Sequence, residues 1–157
     1  MKTEKEINEE LETFFNTQKD RWNKEINPLF DQIKLEMNLS NAPKIMEAQS
    51  LALSYRQRIS EEIYMFLNQR SKQDVRVKKA RADKFLFYST GATGSGDFRM
   101  KSLSEKTILI DNEVSESDRN MQIIENYIEF LRATGKMLES LGYTIKNIIE
   151  LYNYLSK

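Results

Sequence analysis

Apolar positions in this chain recur at alternating steps of three and four, the spacing of helices that bury one face. From about residue 117 to 155, Met121, Ile124, Ile128, Leu131, Leu138, Leu141, Ile145, Ile148, Tyr152 and Leu155 keep that rhythm. The single gap falls at Gly135, and a second glycine, Gly142, is a candidate helix end with Thr144 capping a fresh start. A seam this long is built to pack against partner helices. Residues 3–25 also read as helix, acidic in the opening turns, with Leu11, Phe14, Phe15 and Trp22 as a narrow stripe. Asn27-Pro28 predicts a break or a restart, followed by Leu29, Phe30, Ile33 and Met37 at helical spacing. Ser40-Asn41-Ala42-Pro43 reads as a connector that caps the next helix.

From Pro43 to about Tyr88 there is neither glycine nor a further proline, and Leu53, Ile59, Ile63, Phe66 and Leu67 supply a helical face. Beyond Leu67 the stripe thins to Val75, Val77, Ala80 and Ala82, so this helix is expected to leave the core and project into solvent. Residues 105–111 fit a short strand or a helical turn equally well. The expected fold is all-α, with long helices, a projecting basic helix, a glycine-rich connector and a C-terminal oligomerising region. An acidic helical region, 1–40, precedes a helical domain, 41–157. That domain holds the basic helix 43–88, a flexible loop 89–100 and C-terminal helices 117–156.

Composition narrows the chemistry. The 157 residues include 5 glycines and 2 prolines, too few turn residues for a sandwich or barrel. Cysteine and histidine are both absent, which removes disulfides, thiolate metal sites and the commonest general base. Adjacent acids such as Glu61-Glu62 point apart on a helix and make no acid–base pair. DNEVSESD (111–118) lacks the glycine and terminal glutamate of a calcium loop. No enzyme activity, cofactor or metal is expected. The acidic start has no signal-peptide core and no window reads as a membrane span, so a cytoplasmic location is expected.

Charge then singles out one segment. The chain is neutral overall, yet Arg70 to Lys84 holds seven cations and two acids. Arg70, Lys72, Arg76, Lys78, Lys79, Arg81 and Lys84 are candidate phosphate contacts, and Phe85, Phe87 and Tyr88 follow at once. Cations track phosphates and flat rings stack on unpaired bases, the pairing that single-stranded nucleic acid calls for. Residues 70, 77, 81, 84 and 88 share one helical row, so Arg81, Lys84 and Tyr88 point together; Lys72, Arg76 and Lys79 form the adjacent row. A solvated helix face is the plainer account of such a run, and aromatic residues at a helix end often plug a core. The glycine-rich STGATGSG lacks a Walker lysine and reads as a tether. Acids concentrate elsewhere, with seven against two bases over residues 105–129 and five against two over 1–14.

At Lys79-Ala80-Arg81-x-Asp83-x-Phe85 and Phe87-Tyr88-Ser89-x-Gly91 the chain resembles UvsY, the recombination mediator family of T-even-like phages. The likeness continues through Asp97-Phe98-x-Met100, Lys106-Thr107-Ile108-Leu109 and Gly142-Tyr143-x-Ile145-Lys146-x-Ile148, with weaker echoes at Glu47-Ala48 and Leu53-x-Tyr55. It covers roughly residues 43–157, and the chain departs from the family in about twenty additional N-terminal residues, the MKTEKEINEELETFF region. The resemblance implies a ring-like homo-oligomer in the host cytoplasm that binds single-stranded DNA without sequence preference. It further implies help to a RecA-like recombinase in displacing single-strand-binding protein, with Lys79 and Arg81 at the DNA-contacting positions. The rival expectation is a structural coiled-coil adaptor whose basic helix holds an acidic protein. Membrane-surface attachment is a weaker one, because residues 68–84 lack an apolar face.

Overall fold

The computed structural model describes residues 1–35, 42–90 and 102–157. Three helices account for nearly all of them: α1 (Glu4–Leu35), α2 (Ala42–Thr90) and α3 (Leu103–Leu155). The all-α expectation holds. Of the expected loop 89–100, Ser89 and Thr90 instead end α2, and residues 91–100 lie outside the described residues, as do Met37, Ser40 and Asn41.

Local chemistry accounts for the starts. Thr3 and Glu6 form a reciprocal capping box on α1: the Thr3 hydroxyl accepts from the Glu6 amide at 3.3 Å, and the Glu6 carboxylate accepts from the Thr3 amide at 2.8 Å. Ser102 caps α3 by accepting from the Glu105 amide at 3.1 Å. Pro43 sits in the first turn of α2, where its missing N–H costs nothing.

Several expected breaks are absent. α1 runs through Pro28 without interruption. The ring faces solvent, while Trp22, Ile26, Leu29 and Ile33 stay buried on the opposite stripe. Burying four large side chains outweighs the roughly 3 kcal/mol that an interior proline costs. α3 begins at Leu103, so residues 105–111 are helical, and it continues through Gly135 and Gly142. Thr144 caps nothing; its hydroxyl donates back to the Ser140 carbonyl at 3.2 Å.

The chain forms two compact units, and each helix contributes to both. Residues 14–66 and 127–157 make one. There α2 lies antiparallel to both α1 and α3, as the pairs Phe15–Phe66, Arg58–Glu25, Arg56–Glu139 and Phe66–Tyr127 require. Its centre is aromatic: Phe15 stacks on Tyr127 at 4.4 Å, and Phe66 meets both edge-on at 5.1 Å. The Tyr127 hydroxyl and the Trp22 indole both donate to Glu62, at 2.9 and 3.3 Å. Burial first, then the Glu62 carboxylate, pushes the Tyr127 phenol well up.

The α2 stripe in this unit is Ile45, Ala48, Ala52, Ile59 and Phe66; Leu53, expected inside, is exposed. Gly135 occupies the gap in the α3 seam, and a Cβ at Gly135 would meet Ile59 Cγ2 at 3.6 Å. That is ordinary contact. Gly135→Ala is therefore expected to raise stability by about 0.5–1 kcal/mol through helix propensity, while Gly135→Leu overpacks and lowers it. Thermal denaturation of the two variants checks both signs.

Candidate nucleic-acid interface

The second unit comprises residues 1–13 and 67–126 and contains the whole basic segment. Its three pieces are joined largely by polar contacts. Asn8, almost fully buried, donates to the Glu116 carbonyl and carboxylate at 2.7 and 2.9 Å and accepts from the Asn120 amide at 2.9 Å. Arg119 holds Glu12 at 3.1 Å. A buried amide in a helical seam fixes register, since any slip leaves it unpaired.

Within this unit the basic part of α2 does not project free into solvent, contrary to expectation. It packs antiparallel to the acidic start of α3. Arg81 bridges Asp111 at 2.5 Å and Asp118 at 2.6 Å, and Lys84 meets Glu113 at 2.9 Å. The Tyr88 hydroxyl donates to Glu113 at 2.5 Å, Arg70 pairs with Glu125, and Val77 is buried between these pairs in sequence. The row 70, 77, 81, 84, 88 does point together, but it points at α3. Three of its partners, Asp111, Asp118 and Glu125, stand seven residues apart on one row of α3, and Glu113, beside that row, takes Lys84 and Tyr88.

The electrostatics follow. Hydrogen bonding to Asp111 foremost, with Asp118 adding to it, raises the Arg81 guanidinium's pKa. The Tyr88 hydroxyl and then Lys84 hold the Glu113 carboxyl below its usual range, while Glu113 pushes the Tyr88 phenol up.

The adjacent row behaves differently. Lys72, Arg76 and Lys79 are exposed and have no ion pair with any described residue. Lys78 is exposed too but reaches Asp74, one turn away, at 2.7 Å. Lys72 and Arg76 rim a cleft of about 520 Å³ in this unit. Gln69 and Gln73 also line it, as do Asn8 and Glu4, with Val77 and Ile124 in its floor. The eight candidate residues thus divide: Arg70, Arg81, Lys84 and Tyr88 are engaged by α3, Lys72, Arg76 and Lys79 are exposed without an ion pair to a described residue, and Lys78 is exposed but paired with Asp74 on its own helix. Phe85 and Phe87 do not plug the core, being 44% and 37% exposed. Among the described residues no three acidic, histidine or cysteine side chains gather as a metal site, and no helix is long and apolar enough to cross a membrane.

A model of the family described as "Recombination, repair and ssDNA binding protein UvsY" matches residues 47–156, well over half of the chain. The chain belongs to the UvsY family. Its function accordingly lies in recombination and repair through binding of single-stranded DNA. Comparison with curated proteins and with solved structures finds no match. The matched segment contains all of α3, whereas Asn8 and Glu12, the α1 partners of Glu116, Asn120 and Arg119, lie outside it. Neither residue stood out in the sequence. The heptad spacing of Asp111, Asp118 and Glu125 was the available sign that the basic row had a partner.

Arg81→Ala is expected to lower stability by about 1 kcal/mol, a screened value for a half-exposed cation between two carboxylates, whereas Lys79→Ala leaves it unchanged. Differential scanning calorimetry reads the contrast. For Glu113, whose folded pKa is depressed, stabilisation is full above the ordinary carboxylate range and lost as pH falls through the folded value. The deficit of Glu113→Gln against the parent should thus be largest near neutrality and shrink below about pH 4 in urea titrations.

Proposed function

We propose that this protein is a recombination mediator that helps load a RecA-like recombinase onto DNA covered by single-strand-binding protein. The observation that supports it most is the outward row Lys72, Arg76 and Lys79, three cations without a carboxylate partner among the described residues, on a helix whose other basic row is already neutralised. Phosphates meet these side chains at no cost in broken ion pairs. Arg81 and Lys84 join the contact only where a phosphate replaces Asp111, Asp118 or Glu113, so they make the weaker, salt-dependent second tier.

Self-assembly into a ring is part of the same reading. Leu151, Tyr152, Tyr154 and Leu155 continue the α3 apolar face and are 51%, 39%, 77% and 62% exposed in the single chain. Covering them with a second copy removes apolar surface from water, and repeating the cationic row multiplies weak phosphate contacts. Handing DNA to a recombinase suits a surface that grips the backbone and ignores sequence.

Binding to a fluorescent oligothymidylate should weaken steeply with salt. For single strands the log–log slope is about −0.7 per phosphate neutralised, so the Lys72→Ala/Arg76→Ala/Lys79→Ala variant should lose about two units of slope. Salt-independent binding, or a triple variant with parental slope, rejects this path for the DNA. Preference for an acidic protein over the oligonucleotide would favour the adaptor reading.

A further inference from the structure

One aromatic ring is left in a position that the backbone contacts above do not use. Phe85 is 44% exposed, lies two helical turns beyond Lys78 on the same stripe of α2, and lines an open groove of about 610 Å³. Ala82, Asp83, Leu86, Thr107 and Ile110 line the groove with it, as does the Arg81–Asp111 ion pair. The Lys106 ammonium stands 5.3 Å from the ring centroid while donating to Ser89 Oγ at 3.3 Å, which ties it beside the ring. Leu86, at 62% exposure, and Ala82 give the floor apolar breadth without bulk.

Among the three aromatic side chains at this end of α2, the environment distinguishes Phe85. The Tyr88 hydroxyl is committed to Glu113, and Phe87 packs edge-on against the Tyr88 ring at 5.1 Å. Phe85 combines an exposed face, a small neighbour at Ala82 and the Lys106 ammonium at the ring. From this geometry we infer that Phe85 is a base-stacking site: an unpaired nucleobase of the bound strand lies on its open face, above Ala82 and Leu86. Lys106 takes the flanking phosphate. The inference rests on the DNA-binding reading above and adds its selectivity for single strands, because a base inside a duplex offers no free face. A flat ring stacks on any base, so selectivity arises without sequence preference.

The test uses the full chain and two labelled strands of equal length and charge, oligothymidylate and an abasic deoxyribose-phosphate polymer, compared by fluorescence anisotropy at one salt concentration. The parent should bind the thymidylate at least about fivefold more tightly, the low end of what one stacked base contributes. Phe85→Leu keeps apolar bulk but loses the aromatic face; it should abolish that preference while leaving abasic affinity in place. Phe87→Leu should keep the preference, and Phe85→Trp should widen it. Equal binding of the two strands by the parent, or full preference in Phe85→Leu, overturns the stacking site and leaves the backbone contacts standing. Failure of the parent to bind either strand overturns both readings together. A Phe85→Leu chain with altered circular dichroism is replaced by Phe85→Trp, whose unchanged preference is equally decisive against the site.

Discussion

Each of the three helices must bury a stripe only one or two side chains wide, and the molecule depends on that constraint. Trp22, Ile26, Leu29 and Ile33 on α1, Ile45, Ala48, Ala52, Ile59 and Phe66 on α2, and Ile124, Ile128, Leu131, Leu138 and Ile145 on α3 all keep the three-and-four spacing. Continuous burial along such a stripe makes local helix breakers tolerable. Pro28, Gly135 and Gly142 each sit inside a helix because the apolar neighbours on the stripe stabilise more than the breaker costs.

The two units spend this constraint differently. In the aromatic unit Phe15, Phe66 and Tyr127 fill the centre, and polar groups enter only where Glu62 satisfies two donors. In the unit that carries the basic segment, apolar burial thins and charge takes over. Val77, Ile110 and Val114 remain buried, but Asn8 and the ion pairs of Arg70, Arg81 and Lys84 set the register. Charge pairing at partly exposed sites is weak and screened by salt. The unit that carries the basic segment consequently depends more on charge for its cohesion and responds more to ionic strength and pH, although the aromatic unit also holds the Arg58–Glu25 and Arg56–Glu139 pairs.

Pairing one basic row against acids also gives the other row its meaning. If all seven cations of the segment were free, their mutual repulsion would oppose a compact unit and attract any polyanion. With Arg70, Arg81 and Lys84 matched by carboxylates of α3 and Lys78 by Asp74, the cations without an ion pair among the described residues are three spaced at i, i+4 and i+7, Lys72, Arg76 and Lys79. That is a narrow track suited to a single strand rather than a broad basic face.

Helical class, the α3 seam, the location of the basic segment and the family were all legible in the residues, because periodicity, local charge and motif order are properties of neighbours along the chain. The gap at Gly135 was legible too, though its neighbour was not: Ile59 lies 76 positions away and only folding brings it there. Proline and glycine at 28 and 142 misled because their cost is local and the burial that outweighs it is not. Which face of α2 meets solvent was likewise undecidable from α2 alone. Helical geometry put Arg81, Lys84 and Tyr88 in one row, but only the antiparallel approach of Asp111, Glu113 and Asp118 made that row the inner one. A sequence fixes what each face carries; the partner helix selects which face is used, since charge is neutralised through space and not along the chain.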